Sequence, residues 1–191
     1  MGVIVGVIVV VDVVLVVLAV LWVRAWWHGP PYPVGDPRAT AGELRATSQT
    51  VYTAVEGTEP VHGLVDPSSC PERGGQAIDG GSEPGVFDLD FSWEMDMGGE
   101  PVHDVLREGR DALLDHGWRV VMEGISSPQA GSFGLERGDR FVSLVAVTNN
   151  AGTRLSVRVS SSCAALPEDY DGPSLENQLT FEDLGLAPLG T

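Results

Sequence analysis

The stretch VFDLDFSWEMDM, Val86 to Met97, decides the fold of this chain. Phe87, Leu89, Phe91, Trp93, Met95 and Met97 alternate with Asp88, Asp90, Ser92, Glu94 and Asp96. A strict period of two is the signature of a β-strand, whose successive side chains point to opposite faces. One face here is apolar and the other acidic. A sheet covered on one side only is implied, and antiparallel pairing suits that arrangement.

Downstream, Gly98-Gly99 breaks the strand and Glu100-Pro101 opens a helix predicted over 100–116. Val102, Val105, Leu106, Ala112 and Leu113 mark its apolar face, with Gly109 between them where the helix can press close to the sheet. Gly117 suits the position just past the helix end, and Trp118 can make the apolar contact that accompanies such caps. Strands are predicted at Trp118–Glu123, Ser132–Arg137, Arg140–Thr148 and over Arg154–Ser160, with Gly138-Asp139 as a hairpin turn. The order along the chain is β-α-β-β-β-β. The fold class is therefore α+β: a small sandwich of a four- to five-stranded antiparallel sheet with one packed helix.

Upstream, the Gly- and Pro-rich run from Gly57 to Gly85 reads as irregular loop. Thr40-Ala41-Gly42-Glu43 fits a capping box, predicting a helix over about 41–56. Its apolar stripe is thin, which suits a stalk lying against the domain. Earlier still, Gly2 to Val23 reads GVIVGVIVVVDVVLVVLAVLWV. That length matches the roughly 20 apolar residues a helix needs to cross about 30 Å of hydrocarbon. Trp22, Arg24, Trp26 and Trp27 form an interfacial belt below it, and Gly29-Pro30-Pro31-Tyr32-Pro33 ends the helix. The run lacks the basic leader and small-residue cleavage site of a signal peptide, so an uncleaved anchor is expected. Four segments result: a transmembrane anchor at 1–28, an exit and stalk helix at 29–57, the α+β domain at 58–165, and an acidic, disordered tail at 166–191.

Two signals about orientation conflict. Arg24, Arg38 and Arg45 follow the run, which by the positive-inside rule puts the domain in the cytoplasm. Cys70 and Cys163 both lie outside the run and flank the sheet, where a disulfide would close a loop of about 94 residues; the alternative is two unrelated buried thiols. Disulfides persist in oxidising compartments, so the domain is expected outside the cell, on a single-pass anchor. Asp12 sits inside the run, where an ionised carboxylate costs on the order of 2.5–3.5 kcal/mol. Either it is protonated and carried by its apolar neighbours, or it meets a partner helix or its own copy.

The formal charge is −16, from 27 acids and 11 bases, and every base is Arg. Such acidity excludes nucleic acid as a partner and holds the domain away from anionic lipid headgroups. No CxxC, GxSxG, SxxK or phosphate loop occurs, and His28, His62, His103 and His116 show no ligand spacing. Neither a catalytic residue, a metal site nor a cofactor is expected. Asp88, Asp90, Glu94 and Asp96 share one strand face, and Arg154 and Arg158 on the last strand are their natural partners if the two strands are neighbours. Ser160-Ser161-Ser162 has no nucleophile context.

The anchor, the helix closing as Ala112-Leu113-Leu114-Asp115-His116-Gly117-Trp118, and a last strand ending in Ser-Ser-Cys163 resemble a broad type of uncharacterised, membrane-anchored extracytoplasmic proteins of high-GC Gram-positive bacteria. That resemblance implies location and brings no activity with it. The expected function is a non-enzymatic binding module, held at the lipid bilayer, for a protein partner or an envelope component. The alternative is an accessory subunit of a membrane complex acting through Asp12.

Overall fold

The computed structural model describes residues 15–23, 31–55, 63–71, 82–150, 152–175 and 177–189. Helices α1 (Pro37–Ala54) and α2 (Val102–Asp115) accompany strands β1 (Leu64–Pro71), β2 (Ser82–Asp96), β3 (Arg119–Ser127), β4 (Ala130–Arg137), β5 (Arg140–Asn149), β6 (Gly152–Ser160) and β7 (Ala164–Ala165). The sheet runs β1-β2-β6-β5-β4-β3, antiparallel throughout, with β7 pairing the start of β2. The α+β class and the antiparallel sheet are as expected, but the sheet has 7 strands rather than four or five.

The two strands that the sequence does not announce are the short β7 and β1, which lies in the Gly- and Pro-rich run. Pro67 and Pro71 lie inside it, and proline cannot donate to a ladder. An edge strand tolerates this, since one side of it needs no donors. At the opposite edge, β3 carries a bulge between Val120 and Met122. Bulges of this kind twist an open edge away from pairing with another chain.

Both helices cover the same sheet face, α1 over β2 and β6, α2 over β4 and β5. Phe87, Leu89, Phe91 and Trp93 of β2 are buried beneath them with Val142, Leu144, Leu155, Val157 and Val159. At full burial such side chains contribute about 1.5–3 kcal/mol each. Helix α1 begins earlier than its sequence suggested. Asp36 is the N-cap, accepting from the Arg38 amide at 2.9 Å, and Pro37 opens the first turn. A carboxylate cap followed by a proline displaces the start expected at Thr40, and Glu43 pairs instead with Arg140. Nor is α1 a stalk, because Ala41, Leu44, Ser48, Val51 and Tyr52 line its buried face.

Helix α2 ends as its sequence requires. Gly117 has φ +80°, its amide donates to the Leu114 carbonyl at 3.0 Å, and the Trp118 amide reaches the Leu113 carbonyl at 3.1 Å. Those two bonds satisfy carbonyls that the helix end would otherwise leave open.

The chain leaves β6 through a corner built by Ser161. Its amide donates to the Leu89 carbonyl at 2.9 Å, and its hydroxyl accepts from the Leu89 amide at 2.8 Å. The corner delivers Cys163 to Cys70 on β1, with Sγ–Sγ 2.04 Å and Cα–Cα 5.9 Å. The expected disulfide is present.

The acidic tail, read as disordered, packs on the domain over its described length. Leu179, Phe181, Leu184 and Leu189 are buried, and they are interspersed with Thr180, Glu182, Asp183, Gly185 and Pro188. That dilution hides the apolar pattern in the sequence. Closer to the N-terminus, residues 15–23 are helical, with Leu15, Leu18, Leu21 and Trp22 exposed. No helix among the described residues is long and apolar enough to cross a membrane. Asp12, Arg24, Trp26 and Trp27 lie outside the described residues, as does most of the expected anchor.

Candidate functional site

Two helices on one face leave the other face of the sheet open. The β2–β6 register sets Ser92 opposite Arg158, Glu94 opposite Ser156 and Asp96 opposite Arg154. On the far side of β6, Ser143 lies opposite Arg158 and Val145 opposite Ser156. Short side chains in the middle and long charged ones around them leave a shallow trough of about 540 Å³, lined by Ser92, Glu94, Ser143, Val145, Ser156 and Arg158. Leu64 of β1 closes one end.

The expected cross-strand pairing of acids with Arg154 and Arg158 is observed, but on the diagonal. Arg158 passes Ser92 to pair with Asp90, and Arg154 passes Asp96 to reach Glu94 at 3.5 Å. Each Arg is displaced by two residues in the same direction, as diagonal pairing across a twisted antiparallel pair allows. Glu94 also accepts from the Ser156 hydroxyl at 2.9 Å.

The two pairs differ in burial. Glu94 and Arg154 are both well exposed, whereas Asp90 is only 7% exposed despite belonging to the acidic face. Asp66 stands directly across from Asp90 on β1, and Ser68 donates to Asp88 next to them. Like charges opposed across strands destabilise a sheet, and Arg158 relieves this. The hydrogen bond and charge of Asp90, then the charges of Asp66 and Asp88, raise the Arg158 pKa from its ordinary value.

Truncation of the two arginines should therefore have unequal costs. Arg154→Ala loses an exposed pair worth about 0–1 kcal/mol. Arg158→Ala leaves a buried carboxylate facing another, and the loss is expected near 1–3 kcal/mol. Urea titrations check this, with Asp90→Asn in the Arg158→Ala background recovering part of the loss. Equal costs for the two arginines would contradict the assignment.

None of this arranges a nucleophile beside a base. Of the serine triplet, Ser161 builds the corner, and Ser162 donates to Asp139 at 2.7 Å, which lowers the Asp139 pKa. His116 Nδ1 is engaged by the Ala112 carbonyl at 2.8 Å, at the end of α2, and His103 lies at its start. His28 and His62 lie outside the described residues. Among the described residues no cluster of three His, Cys, Asp or Glu side chains is placed to hold a metal ion.

The fold and the open face define a disulfide-bonded α+β sandwich with one uncovered sheet surface, which carries serines and ion pairs on β2 and β6 and exposed Val145 and Val147 on β5. No family model, curated protein or solved structure matches the chain.

Proposed function

We propose that this protein is a membrane-anchored, extracytoplasmic binding module without enzymatic activity, presenting its open sheet face to a protein partner or an envelope component. One observation supports the address above the rest: the Cys70–Cys163 disulfide, a bond that cytosolic reductants would not let persist. The anchor reading rests on the apolar N-terminal run, whose described part is an exposed apolar helix. The binding reading rests on a shallow, solvated trough that offers hydroxyls, carboxylates and guanidinium groups.

Thiol labelling of intact cells tests the address. With a membrane-impermeant maleimide, Cys70 and Cys163 should label only after reduction, without lysis. Labelling that requires lysis but no reductant would place the domain inside the cell with free thiols, and the proposal would fail.

A further inference from the structure

The chain's own C-terminal segment is held to the domain in the way one protein holds another's peptide. Leu179 adds to the outer edge of β1 through a reciprocal pair of backbone hydrogen bonds with Val65, 2.8 and 2.9 Å. Two residues on, the Phe181 ring meets that of Phe91 with centroids 4.2 Å apart, and Leu189 is buried beyond it. The backbone of the segment is then gripped by α1. Arg38 Nη2 donates to the Gly185 carbonyl at 3.2 Å, Arg45 Nη2 to the Pro188 carbonyl at 2.8 Å, and Arg45 Nε to the Ala187 carbonyl. Strand addition, an aromatic anchor and side chains clamping carbonyls are the means by which domains take up extended peptides.

Composition points the same way. Residues 177–189 carry two acids, Glu182 and Asp183, and no bases, and they lie along a helix face that offers Arg38 and Arg45. Its apolar residues are too sparse to form a core without the domain.

We propose that the groove between the β1 edge and α1 is a peptide-docking site kept closed by residues 177–189. The partner it fits is a segment with apolar side chains two apart in an extended stretch, as in Leu179-Thr180-Phe181, followed by a turn closed by hydrogen bonds from the Gly185 amide to the Glu182 carbonyl and from the Leu186 amide to the Phe181 carbonyl, and then by a Gly/Pro-containing stretch whose carbonyls face the arginines. This goes beyond the binding role proposed above by naming a second surface and a partner class. It does not depend on the membrane address, so either can fail alone.

The test uses the full chain and a fluorescein-labelled peptide with the sequence of residues 177–191. Wild type should bind the peptide weakly, because the tethered segment competes at high effective concentration. Phe181→Ala with Leu189→Ala, which loosens the tail and leaves the groove intact, should bind it at least tenfold more tightly. A peptide carrying Phe181→Ala should lose that binding, and so should the protein when Arg45→Ala is added. Hydrogen exchange on the wild type keeps the idea testable should the double variant not fold. The Leu179 and Val65 amides should open at least 100-fold more often than those of the β2–β6 ladder. Exchange of these amides only with global unfolding would overturn the proposal, as would equal binding of the two peptides. A concentration-dependent dimer of the wild type would also overturn it, assigning the groove to the tail of a second copy.

Discussion

Replacing both Cys70 and Cys163 by serine is expected to remove roughly 4–5 kcal/mol of stability, a large share of the 5–15 kcal/mol typical of a domain. The sequence separation is 93, so the bond forbids the unfolded chain a wide range of separations between its ends. The serine chain recovers that freedom and loses it again on every folding event. For a domain of this size the melting temperature should fall by about 10–25 °C. The location of the bond adds a local effect. Cys70 lies on β1, an edge strand with two prolines whose outer side is met by Leu179. Without the bond, β1 has only its ladder with β2 and that bridge, so its amides should be the first to lose protection against hydrogen exchange. Thermal melts and exchange on the oxidised protein and the double-serine variant check both parts. A fall of less than about 5 °C would mean that the unfolded chain keeps its ends together without the bond.

What the sequence disclosed and what it hid follow one physical division. Side-chain period is a local property, so β2, β5 and β6 and the helix ending at Gly117 can be read from it directly. The adjacency of β2 and β6 could be anticipated from acids on one strand and arginines on the other. The diagonal could not, because it depends on sheet twist. The burial of Asp90 was hidden as well. Alternation assigns it to the wet face, yet it is buried there beside its ion pair with Arg158. Strand β1 was hidden because its prolines are compatible with a strand only at an edge, and edge position is a tertiary fact. The tail was hidden because its anchors are distant in sequence. Phe181 has its partner at Phe91, and the carbonyls of 185, 187 and 188 have theirs at Arg38 and Arg45. Composition alone scores such a segment as disordered.

Gly109 and Leu144 should behave as a compensating pair. A Cβ at Gly109 would lie 3.2 Å from Leu144 Cδ1 and 3.5 Å from Val51 Cγ1, at the point where α2 meets both the sheet and α1. Leu144 is fully buried on β5, so Leu144→Ala should cost about 2–5 kcal/mol, through lost burial and the cavity left behind. Gly109→Val forces a branched side chain into filled space and should cost about 1–3 kcal/mol. Gly109→Ala should be close to neutral, since a gain in helix propensity of up to about 1 kcal/mol offsets a contact that one leucine methyl can yield to. In the double variant Gly109→Val/Leu144→Ala, the valine enters the volume the leucine vacated. The combined loss should then fall short of the sum of the single losses by at least about 1 kcal/mol, beyond the scatter of independent sites. Urea unfolding of the four proteins measures this cycle. A strictly additive result would mean that the glycine is not there to admit Leu144, and that the close approach of α2 to the sheet has another cause.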